Sequence, residues 1–206
     1  MEILFEDNEL IVCIKERGLL SEESEKPNMV TLLKEHTKGE IFPVHRLDKD
    51  VGGVMVYAKT KKSAAELSKQ AGDRTMEKTY LARIHGTPKE KSGVLEDLLF
   101  FDKQKNKSFT VKKERKGVKK AMLSYTVIDS NEIASLVQIK LMTGRTHQIR
   151  VQFASRKMPL CGDRRYGAKD DFKIIALWSE ELSFIHPETG KRKVFSAPAF
   201  EEEFRI

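Results

Sequence analysis

The chain has 206 residues, 38 Lys and Arg against 31 Asp and Glu, a formal net charge of +7, and 39% hydrophobic against 33% charged residues. That length allows one domain with a sizeable core, and the balance is that of a soluble globular protein, which excludes a disordered or membrane-embedded chain. No apolar run approaches the roughly eighteen residues of a membrane span, the opening Met1-Glu2-Ile3-Leu4-Phe5 lacks a signal-peptide layout, and Cys13 and Cys161 form no Cys-x-x-Cys pair, so a cytoplasmic protein with two buried thiols is expected.

Apolar stretches 3–5 and 10–14 flank Glu6-Asp7-Asn8-Glu9, the layout of a β-hairpin. Residues 30–36 predict a short helix ending near Gly39, and the continuous apolar run 53–58 predicts a buried strand. Thr60 can cap a following helix whose apolar stripe is Ala64, Ala65 and Leu67 and which Gly72 ends. Tyr80, Ala82 and Ile84 alternate with Leu81, Arg83 and His85 at the period of a strand. Strands follow over 94–101, 121–128 and 133–141, then a helix over 146–154 and a hairpin over 176–197 that turns at Pro187-Glu188-Thr189-Gly190. So few crossover helices predict an α+β fold, a mixed, largely antiparallel central sheet flanked by helices. No repeat or low-complexity linker interrupts the chain, so residues 1–206 are expected to form a single domain.

The positive charge is local. Residues 102–120 hold eight lysines and Arg115 against Asp102 and Glu114, a net +7 in nineteen residues, and the remainder is neutral. Such a run is often only a solvated face. Here Lys105-Asn106-Lys107 and Gly117 favour a turn between two strands, so a protruding basic hairpin is expected, with phosphate backbones as its natural partner.

Several familiar sites are excluded by spacing. Asp48-Lys49-Asp50-Val51-Gly52-Gly53 opens like a calcium loop, but Gly52 holds the fifth position and Lys59 the twelfth. His36, His45, His85, His147 and His186 show no His-x-x-x-His spacing and stand near no cysteine pair, which argues against a metal. Phosphate-binding, dinucleotide-binding and Gly-x-Ser-x-Gly motifs are all missing from the sequence. What remains is a carboxylate, arginines, a tyrosine and the basic arm. Asp48, between Leu47 and Val51 at the entrance to an apolar strand, wants a cation. In a helix over 146–154, Ile149, Arg150 and Phe153 share one face, so Arg150 points where its apolar neighbours point.

Pro43-Val44-His45-Arg46-Leu47-Asp48-Lys49-Asp50, followed by Gly53-Val54-Met55-Val56-Tyr57-Ala58, resembles the catalytic motif of RluA-type pseudouridine synthases. Glu77-Lys78-Thr79-Tyr80-Leu81-Ala82-Arg83-Ile84-His85-Gly86 is similar to the family's tyrosine strand. The stretch 141–151 and Pro159-Leu160-Cys161-Gly162-Asp163-Arg164-Arg165-Tyr166-Gly167 resemble its closing motif, and residues 3–12 its first strand pair. The resemblance implies a pseudouridine-synthase-like catalytic domain that isomerises uridine in ribosomal or transfer RNA: the bond from C1′ to N1 breaks, the base turns, and C1′ bonds to C5. Such a redox-neutral rearrangement needs no cofactor, no metal and no membrane, and a monomer suffices for it.

Carried over by position, Asp48 is the essential carboxylate, either adding covalently to the substrate or promoting departure of the uracil. Arg150 is its expected paired cation, and Tyr80 packs on the target base. Arg46 fills the gap left by the turned-out nucleotide. Arg145 and His147 contact phosphate or bridge loops, and Arg115, Lys116, Lys119 and Lys120 hold the RNA. Val51-Gly52 departs from the family's usual Thr-Ser, and the two adjacent glycines permit close approach of an RNA backbone or a tight turn. The roughly forty residues ahead of the catalytic motif are too few for the S4-type RNA-binding domain of many relatives, so recognition is expected from the catalytic domain itself. Two other readings differ in outcome: an idle RNA-binding protein of the same fold would turn nothing over, and a hydrolase would release a base or cut a strand.

Overall fold

The structure is a computed structural model that describes residues 1–199 and 202–206. In chain order these form β1 (Glu2–Glu6), β2 (Leu10–Lys15), α1 (Met29–Thr37), β3 (Phe42–Pro43), β4 (Gly52–Ala58), α2 (Lys61–Asp73), β5 (Glu77–His85), β6 (Ser92–Asp102), β7 (Lys107–Val111), β8 (Val118–Ser130), β9 (Ala134–Leu141), α3 (Gln148–Ala154), β10 (Leu177–Ile185) and β11 (Arg192–Ser196), with 3-10 turns at Arg164–Tyr166 and Glu202–Phe204. The chain makes two compact units, 1–78 with 178–198 and 79–177 with 199–206. Two of the boundaries fall inside β5 and β10, so no linker composition marks them.

In the first unit β2 pairs antiparallel with β1 and with β4, and β4 runs parallel to β10, which carries β11 antiparallel on it. All seven residues of β4 are buried, consistent with its uninterrupted apolar sequence. Leu10, Val12, Val54, Val56, Leu67, Leu182 and Phe184 form the core. The Asn28 side chain accepts from Thr31 N to start α1, and Thr60 Oγ1 accepts from Ser63 N to start α2. Gly72 does not stop α2; the helix runs to Asp73 and ends where Arg74 turns left-handed.

The glycines of β4 have a packing reason. A Cβ on Gly52 would lie 2.5 Å from the Trp178 ring, and one on Gly53, at φ +122°, would lie 2.2 Å from the Ser179 carbonyl oxygen. The room they leave is therefore filled by β10.

The second unit is an antiparallel sheet in the order β5-β9-β8-β6-β7. The basic stretch 102–120 is not a simple hairpin. It turns at Asn106, contributes the strand β7 at the sheet edge, turns again at Gly117 and enters β8, so that Phe100 on β6 pairs with both Phe109 and Val118. The expected helix at 146 starts late because His147 is left-handed at φ 54°. Every residue from Gln148 to Phe153 is buried and Ala154 is half-buried, so α3 is enclosed on nearly all sides instead of one. Among the described residues no helix is long and apolar enough to cross a membrane. Each unit is α+β with mainly antiparallel pairing, as the sequence predicted.

Candidate functional site

Asp48 belongs to the first unit, on the half-exposed connection between β3 and β4. Its loop is fixed by backbone bonds on both sides. Ser21 Oγ accepts from Leu47 N at 3.0 Å and donates to Leu47 O at 2.9 Å. Val51 N closes a turn on Asp48 O at 3.0 Å, and Gly18 N donates to Lys49 O at 2.9 Å. Behind the loop the fully buried Lys15 donates from Nζ to the carbonyls of Glu16 at 3.0 Å, Lys49 at 3.1 Å and Val51 at 2.7 Å, matching three protons to three acceptors. All of these bonds run through backbone atoms of the loop, which position the chain around Asp48.

Burial holds the Lys15 ammonium down at about 8, against the attraction of Asp50 and Asp48. The unfolded chain therefore carries the extra proton between pH 8 and 10.5, and this group makes stability rise with pH across that window. Replacing Lys15 with Met is expected to cost about 3 kcal/mol, because buried carbonyls lose their donor. Urea titrations at several pH values should show both the loss and a shallower rise above pH 8, with Lys78, also held down at about 8 by burial, contributing the remainder.

Two neighbours of Asp48 take different parts. His45 Nε2 accepts from Val56 N at 3.2 Å, and burial together with the Lys78 ammonium holds the imidazole well below its usual range. It is a neutral, structural ring with its proton on Nδ1. Arg46 reaches outward to Glu22 at 3.4 Å, with both side chains 57% exposed.

Tyr80 and Arg150 belong to the second unit. Tyr80 is buried on β5 opposite Ile139 of β9. Arg150, central in α3, makes a two-point pair with Asp163: Nε donates to Oδ2 at 2.6 Å and Nη2 to Oδ1 at 2.9 Å, with side chains 4% and 1% exposed. Its guanidinium lies 5.2 Å from the Tyr166 ring. The Tyr166 hydroxyl meets His147 Nδ1 at 3.0 Å and accepts from Ser108 N at 2.8 Å. His147 and Arg150 are thus brought together around Tyr166, and His147 bridges elements of this unit.

Arg145 turns elsewhere, its Nε donating to Lys120 O at 3.0 Å, which joins it to the basic stretch. The loop ahead of α3 is cinched by buried Gln148, whose Oε1 accepts from Arg145 N and Thr143 Oγ1 and whose Nε2 donates to Met122 O. Arg115, Lys116, Lys119 and Lys120 are all exposed, Arg115 lying over the Phe100 ring and Lys120 pairing with Glu96.

Lys15, Gln148, Asp163 and Tyr166 were not foreseen as parts of these arrangements. The last two stand inside the Gly162-Asp163-Arg164-Arg165-Tyr166-Gly167 run that the sequence had already marked.

Two solved structures share this fold. A human structure titled RNA pseudouridylate synthase domain containing 4 superposes with a TM-score of 0.81 at 23% identity, covering 98% of this chain and 90% of that one. Human domain containing 1 gives 0.78 at 20%, covering 99% and 86%. At those identities the likeness is one of fold. Residues 9–155 match the model of the RNA pseudouridylate synthase family. The chain is 32% identical over 206 residues to the dual-specificity RNA pseudouridine synthase RluA of Escherichia coli, covering 96% of this chain and 92% of that protein. It is 34% identical over 204 residues to an uncharacterized RNA pseudouridine synthase of Mycoplasma pneumoniae, covering 96% of this chain and 66% of the relative. The chain spans just under two thirds of that Mycoplasma protein. It belongs to the RNA pseudouridylate synthase family.

Proposed function

We propose that the chain is an isomerase that converts uridine to pseudouridine in structured ribosomal or transfer RNA, with Asp48 as its essential carboxylate and Tyr80 and Arg150 as its other catalytic residues. The family match across residues 9–155, which contains all three, is the observation that carries the reading. The rigid backbone that presents Asp48 supports it. So does the two-point support of Arg150, which fixes the plane of a guanidinium that would otherwise rotate. Tyr80 is an aromatic residue of the kind that packs on unpaired bases. RNA is the partner, the reaction needs no cofactor, a monomer performs it, and the cytoplasm is where the substrate lies. The test uses ribosomal and transfer RNA pools carrying tritium at uracil C5. Tritium released to water from one pool, without a free base or a cut strand, is the expected result. RNA that binds but releases nothing would instead identify an idle binder.

Arg115, Lys116, Lys119 and Lys120 serve as the phosphate contact, joined by Arg145, while Arg46 takes the place vacated by the turned-out nucleotide. Lys119 and Lys120 are successive residues of a strand and so face opposite sides of it, which makes the basic element a rim gripping the backbone instead of a flat patch. Replacing Arg115, Lys116, Lys119 and Lys120 together with Ala is expected to weaken RNA binding about tenfold or more at low salt and to reduce the slope of log affinity against log salt by about 3. Filter binding across a salt series measures both, and an unchanged slope would remove this element from the interface.

A further inference from the structure

The fold assembles a group of metal-binding side chains that sequence spacing gave reason to dismiss. Ile84 at the end of β5 bridges Leu160 antiparallel, with Cys161 N donating to Arg83 O and His85 N to Pro159 O, each at 2.9 Å. In that pairing His85 and Cys161 lie on one face, since residues on either side of a bridged pair point away from it. Asp170 is brought to the same face by its own turn. Its two carboxylate oxygens accept from Gly162 N at 3.0 and 3.1 Å, and Oδ1 also accepts from Phe172 N at 3.0 Å. The turn depends on Gly162, at φ +77°, where a Cβ would lie 1.9 Å from Ile174 O.

One donor atom each from His85, Cys161 and Asp170 therefore falls within 4.8 Å of the others, with His85 Nε2 hydrogen-bonded to Asp170 Oδ2. We propose that His85 Nε2, Cys161 Sγ and an Asp170 carboxylate oxygen form a binding site for Zn²⁺.

Thiolate, imidazole and carboxylate together suit a borderline-soft ion that accepts four ligands, and the three residues leave the fourth position to water. His85 is 34% exposed and supplies the way in, whereas Cys161 is 2% and the Asp170 side chain 13% exposed. The Asp170 carboxylate already receives backbone N–H groups, the outer support that orients ligands in metal centres. A cation taking the Cys161 thiolate would displace the thiol proton to solvent, with the Arg83 guanidinium nearby. Arg83 is itself occupied, donating from Nη1 to Arg205 O at 2.6 Å and lying 5.0 Å from the Phe172 ring. The ion would staple the end of β5 to the loop that carries Asp163 and Tyr166.

Tag-free full-length protein, stripped with chelator, is titrated with Co²⁺ and then Zn²⁺. The expected result is one equivalent of Co²⁺ showing thiolate-to-cobalt charge-transfer absorption, displaced by Zn²⁺. That absorption should vanish in Cys161→Ser and persist in Cys13→Ser. His85→Gln and Asp170→Asn should weaken Zn²⁺ binding at least about 100-fold. Saturating Zn²⁺ should raise the Tm of the wild type by about 5 °C and leave Asp170→Asn unmoved. If Cys161→Ser does not fold, the two other variants read the same site. Absence of the thiolate band in the wild type, or its survival in Cys161→Ser, would overturn the assignment.

Discussion

Asp48→Asn is expected to lower single-turnover tritium release by at least about 10⁴-fold, the scale of loss when an enzyme's reacting group is deleted, while Tm changes by no more than about 3 °C. The two halves of that expectation have separate origins. Asn keeps the size and shape of the side chain but cannot supply the negative charge, whether the carboxylate adds to the substrate or assists departure of the base. The loop, meanwhile, is held by Ser21 at Leu47, by Gly18 and Lys15 at Lys49, and by Lys15 at Val51, all through main-chain atoms of the loop. A variant that retained more than a hundredth of wild-type turnover would remove Asp48 from the chemistry. One that lost activity together with tens of degrees in Tm would show that the charge supports the fold.

The second large effect concerns stability. Asp163→Asn should cost about 3–5 kcal/mol in urea unfolding, because it leaves the buried Arg150 guanidinium without its full countercharge at 4% exposure. Glu22→Gln, which breaks an ion pair whose members are each 57% exposed, should cost less than about 1 kcal/mol. The contrast is the informative quantity, since both pairs join Arg to a carboxylate and differ in exposure. A cost below about 1 kcal/mol for Asp163→Asn would mean that Arg150 is held by its packing and not by this pair. Turnover should fall in the same variant, because the guanidinium loses the two-point contact that fixes its plane.

Local signals carried most of the fold. Thr60 caps its helix, the apolar run of β4 is buried along its whole length, and the turn at Gly190 joins β10 to β11. Long-range interactions account for what was missed. The start of α3 depends on a left-handed His147 whose ring is engaged by Tyr166, nineteen residues later, and nothing in the local spacing encodes that. Arg150 was marked from the company it keeps on the helix and as the expected cation for Asp48, whereas its two-point contact with Asp163 became visible only when the loop after α3 folded back. The two glycines of β4 had a legible backbone freedom and an illegible purpose, because the Trp178 and Ser179 that fill the space lie more than a hundred residues away. The same blindness applied to His85, Cys161 and Asp170: motif spacing finds ligands carried on one element, not ligands gathered by a strand bridge and a glycine turn.

The parallel register of β10 on the Gly52–Gly53 end of β4 bears on how the protein is made. At roughly 5–20 residues per second, ribosomal synthesis of the intervening stretch occupies on the order of ten seconds. Throughout that interval the nascent chain carries an apolar strand with an open edge, the kind of surface that templates association with other chains. Gly53, whose backbone has no side chain to shield it, waits longest. Completion of the first unit is thus timed by translation, because residues 178–198 belong to it.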